Sequence, residues 1–241
     1  MSSSTARFDL RLSVLPVAML VAAIFFLRPL ESRLATGVWP AESPQKGAGV
    51  FGVMGGMRAI VASGFWLRAN RVWEERDPAT TTAYLKLTVA ADGGPRYFWL
   101  NGARMIAYDL PEWRMTADMP AAMQQKIVEE QAQAALGFLE DGLRAHPHDP
   151  ALLVEMANIR LRVLGDREGA AQLFRQAAEQ ADAPYYAARI YAELLAQLGR
   201  PGEALTWLKQ ILPGLSADDP AARREVVVQR IKALEAQLGV R

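Results

Sequence analysis

The side chains best placed to do chemistry in this sequence are its only two histidines, in the run His146-Pro147-His148-Asp149. Two imidazoles and a carboxylate are zinc-ligand types, but a tetrahedral site wants a third firm ligand and Pro147 stiffens the loop, so an exposed interhelical turn is the preferred reading. Adjacent acids at Glu129-Glu130 and Asp218-Asp219 resemble an acid/base pair only on paper. Neighbours on a helix point in different directions and cannot flank one substrate, so these read as solvated faces or caps. Asp92-Gly93-Gly94-Pro95 reads as a turn, and neither G-x-x-x-x-G-K nor G-x-G-x-x-G occurs. The chain has no cysteine, which removes disulfides, thiol catalysis, zinc knuckles and covalent haem attachment. No histidine stands in a recognisable triad with a serine or threonine, and the six tryptophans are scattered rather than grouped as a stacking platform. With 27 basic against 26 acidic residues, the net charge of +1 supplies no field to draw in nucleic acid. The expectation is a chain without catalytic residues, metal, cofactor or small-molecule substrate, whose work is done by a surface.

That surface has to be built by helices. Hydrophobic residues make up 51% of the chain and charged ones 22%. Alanine and leucine dominate over the β-branched residues, which favours helix over sheet. Laid on itself at an offset of about 34 residues, the sequence repeats its small and apolar positions. Leu164-Gly165 falls on Leu198-Gly199, Ala170 on Ala204, Phe174 on Leu208, Ala177 on Ile211 and Leu161 on Leu195. An alanine at the opening of a second helix lets the first approach closely, and the large residue four later fills the hole between them. A single helix pair cannot bury such a face, whereas stacked pairs bury it against each other.

Local signals place the ends of these helices. Asp149-Pro150 and Asp219-Pro220 each set a capping acid before a proline at the first helical position, and Gly165 and Gly199 stand where a helix must stop. Helices are predicted near 150–164, 168–181, 185–198 and 202–213. An amphipathic helix over 220–238 carries Val226, Val227, Ile231, Leu234 and Leu238 at helical spacing and reads as a solubilising cap. Upstream, 55–75 with 80–91 and 96–108 with 118–146 make two less regular pairs. In the first of these, Arg58, Arg68, Arg71 and Glu75 fall roughly along one face. An amphipathic helix packed on the repeats is therefore preferred there over a second membrane helix.

Ala170-x3-Phe174 with Ala177, Ala204-x3-Leu208 with Ile211, and Ala135-x3-Leu139 with Gly142 and Pro147 resemble the second-helix signature of the tetratricopeptide repeat superfamily, in its membrane-anchored bacterial form. Trp99-x2-Gly102-Ala103-x2-Ile106, Val154-x2-Ala157-Asn158-x2-Leu161 and Ala188-x2-Tyr191-Ala192-x2-Leu195 resemble its first-helix signature more loosely, and Asp182 and Ser216 stand where the closing proline belongs. The resemblance implies an all-α fold: a solenoid of about four helix pairs with a C-terminal capping helix, its first helices lining a concave face. On that register the residues not needed for packing are Tyr97, Arg104 and Tyr108 in one unit, Glu155 and Arg162 in the next, and Tyr186, Arg189 and Glu193 in the third. Aromatic, arginine and acidic groups on one face suit a peptide or helix of another protein, the alternative being ordinary interhelical packing and solvated charge.

Ahead of the repeats, Leu12 to Leu27 carries no charge. With Leu10 and snorkelling Arg11 and Arg28 it approaches the length needed to span a bilayer, giving a membrane segment within residues 10–30. An uncleaved anchor is preferred over a cleaved secretory signal because Arg28, Glu31 and Arg33 follow where small neutral residues would be wanted. The resulting division is tail and transmembrane helix at 1–34, linker at 35–54, irregular helical pairs at 55–146, and repeats with their cap at 147–241. The expected place is a bacterial inner membrane, crossed once, with the C-terminal domain in the periplasm. The expected role is a scaffold or assembly factor whose partners are membrane or envelope subunits. Two other roles stay open: an accessory structural subunit of a membrane enzyme, and a periplasmic chaperone-like module that holds clients transiently.

Overall fold

A computed structural model describes residues 48–239, with side-chain surroundings from residue 56 onward. The expected tail and transmembrane helix, and the linker up to residue 47, lie outside the described residues. The regular structure of those described is entirely helical, with no strand among them. The helices are α1 (Ala48–Glu74), α2 (Pro78–Ala91), α3 (Arg96–Arg104), α4 (Leu110–Arg114), α5 (Ala121–Ala145), α6 (Pro150–Arg162), α7 (Arg167–Ala178), α8 (Tyr185–Gln197), α9 (Pro201–Ile211) and α10 (Arg224–Leu238). A π-helical turn, Met105–Asp109, joins α3 to α4. Packing follows chain order: α1 lies on α2, α3 on α5, α5 on α6, and from α6 onward each helix packs on the next.

Starts and stops are set by the residues that the sequence marks. Asp149 accepts hydrogen bonds from the N–H groups of Ala151 and Leu152, and Asp166 caps α7 through Gly169. Asp77 caps α2 through Thr80. Gly165 and Gly199 take left-handed φ of 66° and 78°, a conformation that L side chains rarely adopt. Three boundaries differ from expectation by more than three residues. α1 begins at Ala48, inside the stretch read as linker. The segment over 96–108 runs on to Arg114, because the π turn lets the helix pass Pro111, which has no N–H for the helical ladder. The cap over 220–238 is broken into a 3₁₀ turn, Pro220–Ala222, and α10, since Arg223 between them adopts φ 46°.

Two apolar clusters meet at α6. One gathers Leu85, Trp99, Ile106, Leu110, Phe138 and Leu139 from α2 to α5; the other gathers Phe174, Tyr191, Leu195, Leu208, Val227 and Leu234 from α7 to α10. α6 gives Leu152, Met156 and Ile159 to the first and Leu153, Val154 and Ala157 to the second. A helix walled on most sides is apolar most of the way round, and a polar residue in its middle is enclosed with it. Close approach is set by small residues. Ala170, Ala177 and Ala204 are fully buried, and a Cβ on Gly102 would stand 2.9 Å from the ring of Phe138. One on Gly142 would stand 3.0 Å from the indole of Trp99. No helix among the described residues is long and apolar enough to cross a membrane.

Candidate partner-binding groove

The enclosed polar residue of α6 is Glu155, with 4% of its surface exposed. Left alone, a carboxylate in such a place would carry a large desolvation cost. Arg104, at the end of α3, removes most of it by placing Nε 2.9 Å and Nη2 2.7 Å from Glu155 Oε2. The other carboxylate oxygen faces the Tyr108 hydroxyl at 3.4 Å, a long contact. Tyr108 lies in the π turn, where the extra residue resets the helical phase and so the direction in which its ring leaves the backbone. Burial first, and then the charge of Glu155, push the Tyr108 phenol up to about 12, while Arg162 and Arg104 pull the other way. The Arg104 guanidinium is held above its ordinary value, chiefly by its hydrogen bonds to Glu155.

Tyr186 of α8 lies within electrostatic range of Arg104. It also opens a cavity of about 320 Å³ between α8 and α10, lined by Tyr186, Arg189, Ile190, Glu193, Leu208, Val226 and Arg230. Arg189 closes one end, donating from Nη1 to the carbonyls of Ala222 at 2.9 Å and Ala221 at 3.4 Å. Burial, and then the charge of Arg223, hold the Arg189 guanidinium below its ordinary value. Glu193 pairs with Arg230 at 2.7 Å.

Of the residues expected to form the groove, the structure brings Arg104, Tyr108 and Glu155 into contact, with Arg162 and Tyr186 alongside and Arg189 and Glu193 continuing from Tyr186. Tyr97 lies about two turns upstream of Arg104. Its ring is edge-on to Trp66 of α1, with centroids 5.3 Å apart, and 56% of the residue is open to solvent, so it stands at the edge of the contact between α1 and α3. Glu155 has its carboxylate committed to Arg104, and it shapes the surface without being free to meet a partner. Arg230 and Val226 were not among the expected groove residues. Their helix read as a cap, and only the exposure of Val226, an apolar residue 48% open to solvent, marks that face as unfilled.

The acids of this surface are each tied to an arginine, whereas Arg162 and Arg189 have no carboxylate partner among the described residues. The groove therefore offers surplus positive charge beside an apolar cavity, with Tyr186, 45% exposed, between them. His146 has a structural place elsewhere: its Nε2 lies 2.9 Å from the Gly93 carbonyl, which also accepts from the Trp99 indole at 2.8 Å. Among the described residues no three His, Cys, Asp or Glu side chains are grouped to hold a metal ion. No protein-family model matches the chain, and comparison with curated proteins returns no match.

Proposed function

We propose that this chain is a membrane-anchored scaffold or assembly factor of a bacterial envelope complex, its helices forming a tetratricopeptide-like solenoid that holds a segment of a partner protein and catalyses no reaction. Three features support the solenoid. The helices pack in chain order. The alanine and large-residue positions that repeat in the sequence are core positions, with Phe174 and Leu208 at 0% and 1% exposure. And α6 serves as a wall common to two clusters, as stacked pairs require.

The observation that carries the functional reading is the surface shared by α3, α6, α8 and α10. A structural cost is met there, the burial of Glu155, and the same surface offers an aromatic ring, guanidinium groups without a carboxylate partner among the described residues and an apolar cavity. An apolar anchor beside a donor-rich rim is how a protein surface takes hold of a peptide or helix. Leu12 to Leu27 would fix this groove at the inner membrane, and confinement there raises the effective concentration of a membrane-bound partner without any new contact. The test is purification of the tagged full chain in mild detergent. A partner recovered in fixed ratio, and retained on dilution, is the expected result; recovery of the chain alone, or of many clients in variable amounts, would count against a scaffold.

A further inference from the structure

α1 is apolar on two opposite faces, and among the described residues only one of them is covered. Ala62, Ala69 and Val72 are buried where the helix meets the rest of the fold. On the other side Ile60 and Leu67 are 72% and 70% exposed. Gly56, Met57 and Gly64 share that side, with Ser63 a small polar residue among them, and a Cβ on Gly56 or Gly64 would meet nothing within 4 Å. A helix apolar on opposite faces belongs in a setting that covers both. Isolated exposed aliphatic residues are ordinary, but two of the most exposed ones lying two turns apart on one helical stripe make a patch.

Charge and connectivity both bear on what covers this patch. From Ala48 to Trp73 the helix carries Arg58, Arg68 and Arg71 and no acid, the first acid being Glu74. Arg68 and Arg71 are exposed beside Leu67, and Arg71 pairs with Glu75 one turn on at 3.4 Å, which leaves Arg68 as the cation nearest the stripe. Aliphatic residues in the middle, arginines beside them and no acid in the helix before Glu74 is the composition of a helix lying in the interface of an anionic bilayer. α1 is also the first described element after the uncharged run Leu12 to Leu27, so on the anchor reading of that run it is the described helix nearest in sequence to the membrane.

We propose that the outer stripe of α1, centred on Ile60 and Leu67, docks on the anionic membrane surface, so that the helical domain is held at a fixed orientation rather than swinging from its anchor. This rests on the anchor reading of Leu12 to Leu27. The two can fail separately in one experiment, which the lack of cysteine makes simple. Single variants Ile60→Cys, Leu67→Cys, Met123→Cys and Ala22→Cys of the full chain are spin-labelled and reconstituted without other proteins into vesicles with and without phosphatidylglycerol. Accessibility to oxygen and to a water-soluble nickel chelate is then read at each site.

The expected result is oxygen accessibility several-fold above nickel at 60 and 67, deepening with anionic lipid, while the label at Met123, exposed on α5, stays with water. A lipid signal at 22 with water at 60 and 67 would overturn docking and leave the anchor standing. A lipid signal at 60 and 67 with water at 22 would support docking and refute the anchor. Spin–spin broadening at 60 would mean that a second copy of the chain covers the stripe, and would overturn the proposal. So would a stripe that stays in water until a partner protein is added.

Discussion

Among the described residues Glu155 is the charged side chain that the fold encloses, and the two ways of breaking its pair should differ in cost. Arg104 is about half exposed, at 52%, so removing the carboxylate returns a guanidinium to water; removing the guanidinium strands a carboxylate in the interior. Arg104→Ala is expected to lose about 2–3 kcal/mol and Glu155→Gln about 1 kcal/mol, measured by urea unfolding of residues 35–241. Equal losses would show that the pair is solvated. Glycine gives a second contrast. Gly102→Ala and Gly142→Ala press a methyl into the Phe138 ring and the Trp99 indole and should cost about 1–3 kcal/mol, whereas Gly137→Ala, on α5 with open space around it, should gain up to about 1 kcal/mol. That Arg104, Tyr108 and Glu155 share one surface was legible at this scale from their places on first helices. What could not be read was that Glu155 faces an arginine 51 residues away, because periodicity says which side of a helix is buried and not what is buried against it.

The capping acids Asp149 and Asp166 and the stops at Gly165 and Gly199 are local signals, so α6 to α9 were legible to within a few residues. The misses lie where the backbone does something that residue type does not announce. Pro111 lets the chain continue by a π turn rather than ending the helix, held in part by Trp73 Nε1 donating to Asp109 at 2.8 Å, a contact between distant segments. Arg223 takes a left-handed φ although nothing in the side chain favours it. The capping acids make a prediction that belongs to elements. The Gly169 N–H above all holds Asp166 below its ordinary value of 3.8; burial opposes it and Arg160 adds to it. A carboxyl whose folded pKa lies below its unfolded one contributes its full stability above the unfolded value and loses it as pH falls through the folded one. The domain should therefore lose stability below about pH 4, and Asp166→Asn, which keeps a capping oxygen, should flatten part of that fall in acid thermal melts. A variant with the unchanged acid profile would mean that Asp166 has no part in it.

For the whole molecule, the division into anchor and helical body predicts that a chain lacking residues 1–34 is soluble and strongly helical by circular dichroism. Insoluble product or a β contribution would contradict it. The central claim is that the surface of α3, α6, α8 and α10 holds a partner, and it is tested most directly by altering that surface without touching the core. Arg162 and Tyr186 are both exposed, and neither contributes to an apolar cluster through a buried side chain. The decisive measurement is the molar ratio of partner to tagged chain, recovered in mild detergent, for the natural chain and for the double variant Arg162→Glu, Tyr186→Ala. The account predicts a fixed ratio for the first and a loss of at least tenfold for the second, with the helical signal unchanged; an undiminished ratio in the variant would place the interaction on another face.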